Sequence, residues 1–239
     1  PVEERPEIDR WILSVLNTLI REVDADLDDY EPTKAARAIS EFVQDNLSNW
    51  YVRLNRKRFW GKEMDADKLS AYQTLYTCLE TVALLMAPVA PFFADRLYKD
   101  LTAVTRGTTE SVHLALFPQA GASDTDLEER MRLAQQITSM VLALRRKVNI
   151  KVRQPLATLM VPVADERQAA MLRTMADLIL SEVNVKEMRI VTDEDGVMVK
   201  RVKPDFKKLG KKLGKQLGQL EAAGFAGAAF MDKDDVKIF

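Results

Sequence analysis

The chain has 239 residues, 47% of them hydrophobic and 30% charged, a net charge of -1 and a single cysteine, Cys78. That is apolar material for one large or two ordinary domains. It excludes a disulfide framework and a cysteine-rich zinc site, and no apolar run approaches the roughly 20 residues of a membrane span. The near-neutral total hides segregation. Residues 1–31 carry ten acidic and three basic side chains, whereas Arg53 to Lys62 and Arg145 to Arg153 each hold five basic residues and no acid. Lys200 to Gln216 adds eight basic residues against Asp205. Basic islands on a neutral protein suggest a polyanion that meets chosen faces.

Taken in chain order, residues 8–27 read as a helix that ends in "DADLDD". Asp24, Asp26, Asp28 and Asp29 lack the glycine and closing glutamate of a calcium loop, so solvation of a helix end is the expected role. Pro32 opens a second, longer helix. In it Ala36, Ile39, Val43, Leu47, Trp50 and Leu54 recur every three or four residues as a buried stripe. A third helix follows Gly61 and the polar residues to Asp67, with Tyr72, Leu75, Leu79, Val82 and Met86 as its apolar line. Pro88 and Pro91 break the run, and Pro91 suits the first position of the next helix. "SVHLALFP" reads as a short extended connector, in which the lone His113 has a structural role. A helix from about Asp126 to Val148 is expected to bury Leu133, Ile137, Met140 and Leu144.

Beyond Gln154 the pattern changes. "ATLMVPV" suits a strand, a helix follows to about Leu180, and "VKEMRIV" with "VMVKRV" across "TDEDG" suggests a hairpin. The fold class is therefore mainly α, with a helix bundle over residues 1–154 and a small α/β unit over 155–239.

The most specific chemistry lies at the end of the second helix, "DNLSNWYVRLNRKRFW". Asn46, Asn49, Arg53, Arg56 and Trp60 are spaced three, four, three and four, which places them on one face of a 3.6-residue helix. Amides read base edges, guanidinium groups bind phosphate or stack, and an indole offers a platform to an unstacked base. Lys57 and Arg58 add charge beside them. The competing reading is a solvated face with Trp60 capping the bundle. Near the C-terminus, "KKLGKKLGKQLG" sets Lys207, Lys208, Lys211, Lys212 and Lys215 around a stripe of Phe206, Leu209, Leu213, Leu217 and Leu220. Glycines at 210, 214 and 218 each cost such a helix about 1 kcal/mol against alanine, so it needs tertiary packing. A packed helix whose lysines meet phosphate is the preferred reading over a membrane-surface helix, which wants aromatic anchors.

The segments "DRWILSVLNTLI", "LSNWYVRLNRKRFW", "MAPVAPFFADRLY", "SVHLALFP" and "LRRKVNIKVRQPL", in this order, resemble the C-terminal part of class I isoleucyl-tRNA synthetases across nearly the whole chain. The valine and leucine enzymes have relatives of several of them. "VKPDFKKLGKKLGK" is similar to the end of the eukaryote-like isoleucine branch. The resemblance implies an anticodon-binding helix bundle that grips tRNA(Ile) while a catalytic domain of the same polypeptide attaches isoleucine, using ATP and magnesium. A single cysteine suits a reducing compartment, so a monomer of the cytoplasm with no membrane partner is expected. The family's HIGH and KMSKS signatures are missing and His113 is the one histidine. The chain, which opens Pro-Val-Glu-Glu like a piece of something longer, is thus expected to be catalytically inert, without cofactor or metal. The RNA-binding residues so expected are Asn46, Asn49, Arg53, Arg56, Lys57, Arg58 and Trp60, together with the five C-terminal lysines. The alternatives are a helical protein-interaction or scaffold module whose basic islands dock an acidic partner or membrane lipid, and the equivalent domain of a valyl- or leucyl-tRNA synthetase.

Overall fold

The computed structural model describes residues 1–105, 110–163 and 165–191. The expected second arm of the hairpin and the lysine–leucine tetrads lie outside them. The described residues fall into two compact units, one spanning Pro1–Ala143 and one beginning at Leu144.

The first unit is helical. Helix α1, Glu7–Asp28, buries Trp11, Ile12, Leu16, Leu19, Ile20 and Val23, the spacing of one apolar face. Helix α2, Pro32–Glu41, starts on its proline as expected and packs on α1. It then runs into a π-helical segment, Phe42–Val52, and a turn at Asn55 before the short α3, Arg56–Trp60. Helix α4, Ala66–Met86, is capped by Asp65, whose carboxylate accepts from the Lys68 N–H at 2.7 Å. Its buried line is Ala71, Thr74, Cys78, Thr81, Val82 and Leu85, about one residue round from the expected one. Small side chains face inward there and leave Tyr72 on the flank, 44% exposed. Burial, and then the negative charge of Asp9, push the Cys78 thiol up to about 12, so it stays a neutral packing group.

Helix α5, Pro91–Thr105, begins on Pro91, and Ala94 and Tyr98 join Ala83 and Val112 in a small core. The connector holds a 3-10 turn at Val112–Leu114, with His113 exposed. Asp95 ties this turn to α5. Its Oδ1 accepts from Ser111 Oγ at 2.6 Å and from the Val112 N–H at 3.2 Å, and its Oδ2 meets Lys99 Nζ at 2.6 Å. The bond to Lys99 first, then that to Ser111, lowers its pKa from 3.8 to about 2. A depressed carboxylate stabilises the fold fully above its unfolded pKa and loses that contribution as the pH falls through the folded one. Protection of the Val112 amide is therefore expected to hold above pH 4 and to fade towards about pH 2. Amide exchange followed by NMR checks this; an unaltered pH profile in Asp95→Asn would contradict it.

Helix α6, Thr125–Lys147, buries Leu127, Met131, Ala134, Ile137, Thr138 and Val141. Met140 and Leu144, expected inside, are exposed. Two adjacent lines of this helix are apolar, and hydrogen bonds of Ser14 and Thr18 to the Glu128 carboxylate set which one faces α1. The segment before α6 is pinned to α1 as well. Asn17 accepts from the Gly121 N–H at 2.9 Å and donates to the Ala122 carbonyl at 3.0 Å.

The second unit holds strands β1, Leu156–Pro162, and β2, Val185–Val191, paired in parallel with Leu156 opposite Val185 and Pro162 opposite Val191. The crossover is α7, Glu166–Thr174, and α8, Ala176–Val183, separated at Met175 where one helix was expected. Parallel strands need such a connection. Leu172, Ile179 and Val183 are fully buried in this unit. Strand β2 was expected to pair in a hairpin, yet its partner among the described residues is β1.

Candidate nucleic-acid interface

The face expected to read RNA is built on three backbone regimes rather than one helix. Through Phe42–Val52 the backbone is π-helical, so its hydrogen bonds close over five residues instead of four and each turn is wider. Phe42, Leu47 and Tyr51, spaced five and four, are buried. The three-and-four spacing that would align Asn46, Asn49, Arg53 and Arg56 on an α-helix does not carry through this stretch. Asn46 is half-buried, and its Oδ1 accepts from Gln135 Nε2 of α6 at 3.1 Å. Asn49 and Arg53 are exposed, and Arg53 Nε donates to the Asn49 carbonyl at 2.7 Å.

The backbone resets at Asn55. This residue is buried, and its side-chain amide donates to the Tyr51 carbonyl at 2.8 Å. The five residues of α3 then divide sharply. Arg58 and Phe59 turn towards the protein, while Arg56, Lys57 and Trp60 are exposed. Phe59 sits edge-on between Tyr51 and Tyr72, with ring centroids 6.3 and 5.3 Å away.

Arg58 reaches further in. Its Nη1 and Nη2 donate to Oδ1 and Oδ2 of Asp9 at 2.8 and 3.0 Å, a paired geometry that suits a guanidinium and a carboxylate. Its Nε donates to Asp67 at 2.9 Å, and its Nη groups also reach Asn55 Oδ1 at 2.8 Å and Ser70 Oγ at 3.0 Å. Asp9 is wholly inaccessible and takes a further 2.8 Å bond from the Tyr51 hydroxyl. Burial works against the charge on Arg58. The bonds to Asp9 and Asp67 outweigh it and hold its pKa above the ordinary arginine value. Burial, then the charge of Asp9, likewise raise the Tyr51 phenol well above its usual value. Arg58, grouped by sequence with the RNA contacts, therefore spends its donors inside the bundle and fixes α3 to α1 and α4.

Sequence reasoning missed Asp9. Its signal was present: Asp9, Ile12, Leu16 and Leu19 are spaced three, four and three, so the carboxylate falls on the buried line of α1. A charge on such a line calls for a partner.

On the outer side, the Arg56 guanidinium lies 5.2 Å from the centroid of the Trp60 ring, and Trp60 is 76% exposed. An indole this open does not cap a core. Stacked cation and ring present a flat surface with positive charge at its edge, which suits a base and its phosphate. An open cavity of about 480 Å³ adjoins it, lined in part by Lys57, Lys62 and Lys68 but also by Glu63, Asp65 and Asp67. The mixed signs nearly cancel, so this cavity adds little attraction for a polyanion. No helix among the described residues is long and apolar enough to cross a membrane.

Residues 9–161 match the family described as the anticodon-binding domain of tRNA ligase. Over 213 residues the chain is 68% identical to an isoleucine–tRNA ligase of Bacteroides thetaiotaomicron, covering 88% of this chain and 18% of that protein. It is 66% identical over 212 residues to one of Porphyromonas gingivalis, with the same two coverages. With one of Thermus thermophilus the identity is 42% over 216 residues, covering 88% of the chain and 20% of the relative. The chain spans about a fifth of the length of these relatives.

Proposed function

The chain belongs to the anticodon-binding domain family of tRNA ligases, and from that premise we propose that it is the tRNA-gripping module of an isoleucine–tRNA ligase. The observation that carries this reading is the exposed Arg56–Trp60 pair on α3, held from behind by Arg58 and Asp9. Anticodon bases are single-stranded and can leave their stack for an aromatic face. Trp60 is the platform. Arg56, Lys57 and Arg53 supply charge for the flanking phosphates, Asn49 offers an amide to a base edge, and Asn46 helps to hold the segment against α6. Arg58 positions α3 rather than touching RNA. The lysines Lys207, Lys208, Lys211, Lys212 and Lys215 add a sequence-independent phosphate contact.

The parent polypeptide carries the catalytic domain and joins isoleucine to tRNA(Ile) with ATP and magnesium, as a monomer of the cytoplasm. No residue of this chain is assigned to ATP or to magnesium. The test is a binding comparison of the 239-residue chain with unfractionated tRNA, polyglutamate and anionic vesicles at two salt concentrations. The expected result is preferential binding of tRNA, weakening steeply with salt. Preference for polyglutamate would favour the scaffold reading instead.

A further inference from the structure

A buried cation with no carboxylate beside it organises the end of α6. Arg145 is 3% exposed. Its Nη1 donates to the carbonyls of Lys151 and Gln154, both at 3.1 Å, and its Nη2 to those of Gln154 and Asn184, both at 3.0 Å. One guanidinium thus ties the last turn of α6 to the following loop and to the residue before β2. Asn184, in the left-handed region at φ 52°, returns the tie by donating its side-chain amide to the Val152 carbonyl at 2.8 Å. The helix ends at Lys147 and is closed by Asn149, with φ 55°, and the Ile150 N–H donates to the Arg145 carbonyl at 2.9 Å. A left-handed residue just past the last turn is a common helix stop. The loop from Val148 to Pro155 is therefore held by backbone bonds to α6 at its start and by side-chain bonds to Lys151, Val152 and Gln154 further along.

On this framework stand Arg146, Lys147, Lys151 and Arg153, all exposed. Among the described residues none of the four forms an ion pair with a carboxylate. No acidic residue occurs from Leu144 to Val163. The carbonyls that surround Arg145 are dipoles, not charges, so its positive charge adds to the local field. Five cations gather within nine residues, three on the last turn of α6 and two on the braced loop, with no acidic residue among them. That surface suits an extended polyanion.

Resting on the tRNA reading above, we infer that Arg146, Lys147, Lys151 and Arg153 form a further RNA-backbone contact, preset by the buried Arg145. The segment has no aromatic side chain on which a base could stack or a membrane interface could anchor. It reads phosphate charge and not sequence. It differs from the Trp60 face in that respect.

The test uses the 239-residue chain and unfractionated tRNA. A variant with Arg146→Gln, Lys147→Gln, Lys151→Gln and Arg153→Gln removes only exposed charge, and an unchanged melting temperature verifies its fold. Each phosphate that is no longer neutralised should flatten the slope of log affinity against log salt by about 0.7–0.9. The slope of the quadruple variant is expected to fall by about three, with affinity at least about tenfold lower at about 0.1 M salt, equally for tRNAs of any anticodon. Arg145→Lys keeps the charge but loses the planar fork that donates four bonds to three carbonyls, and is expected to lower the affinity by less than the quadruple variant; an unchanged affinity would remove Arg145 as the brace. Unchanged slope and affinity in the quadruple variant would overturn this inference while leaving the Trp60 reading intact. A variant that keeps tRNA binding but loses binding to phosphatidylserine vesicles or to polyglutamate would overturn it in favour of those partners. Weakened binding in the quadruple variant together with full binding by Trp60→Ala would uphold it and defeat the platform assignment. A wild-type chain that ignores tRNA defeats both.

Discussion

Arg58→Met is expected to destabilise the helical unit by about 3–5 kcal/mol, because it strands the wholly buried Asp9 as an uncompensated charge. For a protein of this size each kcal/mol lowers the melting temperature by roughly 2–4 °C, so the drop should lie between about 6 and 20 °C. The double variant Asp9→Leu with Arg58→Met removes both charges, and such apolar replacements are often neutral or stabilising. It should recover most of the lost stability and reveal the coupling in a double-mutant cycle. A single variant that melts within about 1 kcal/mol of the wild type would refute the assignment of Arg58 as an internal brace. Binding should follow the same logic. In a folded Arg58→Met protein, α3 has no tie to Asp9, and the Arg56–Trp60 surface should bind tRNA less well although neither residue has been altered.

Trp60→Ala is expected to do the reverse, weakening tRNA binding while sparing the fold. Stacking a base on an aromatic ring is worth about 1–3 kcal/mol by alanine substitution, which corresponds to roughly tenfold to a hundredfold in affinity. In the parent enzyme the tRNA concentration needed for charging should rise by that factor, while activation of isoleucine without tRNA remains unaltered. The melting temperature should not move, since Trp60 is 76% exposed and its described ring contact is with Arg56. Trp60→Phe retains an aromatic face and should restore much of the binding. Normal charging by a Trp60→Ala enzyme would remove the platform from the proposal.

Much of the architecture was legible in the residues because it rests on local periodicity. The helix over residues 8–27, the proline starts of α2 and α5, the strand at Leu156–Pro162 and the change from bundle to α/β unit each follow from side-chain spacing or from proline geometry. The ordered motifs also carried the resemblance that membership of the tRNA-ligase family now supports.

What the sequence left open was decided by contacts distant in the chain. Periodicity finds an apolar helix face but cannot choose between two adjacent ones. On α4 the close approach of a small-residue line, and on α6 the bonds from Ser14 and Thr18 to Glu128, made that choice. Nothing in "NLSNWYVRLNRKRFW" signals that the backbone widens into a π-helix and resets at Asn55, because that geometry is held by the burial of Phe42, Leu47 and Tyr51 and by the Asn55–Tyr51 bond. The same applies to charge. Sequence counts Arg56, Arg58 and Arg145 alike, yet one faces solvent beside a tryptophan and two are drawn inward. A guanidinium is buried only where partners are supplied, by Asp9 some 49 residues away for Arg58 and by the Asn184 carbonyl 39 residues away for Arg145. Residue type and spacing therefore determined the helices and where the positive charge collects, while tertiary packing decided which cations brace the protein and which face solvent.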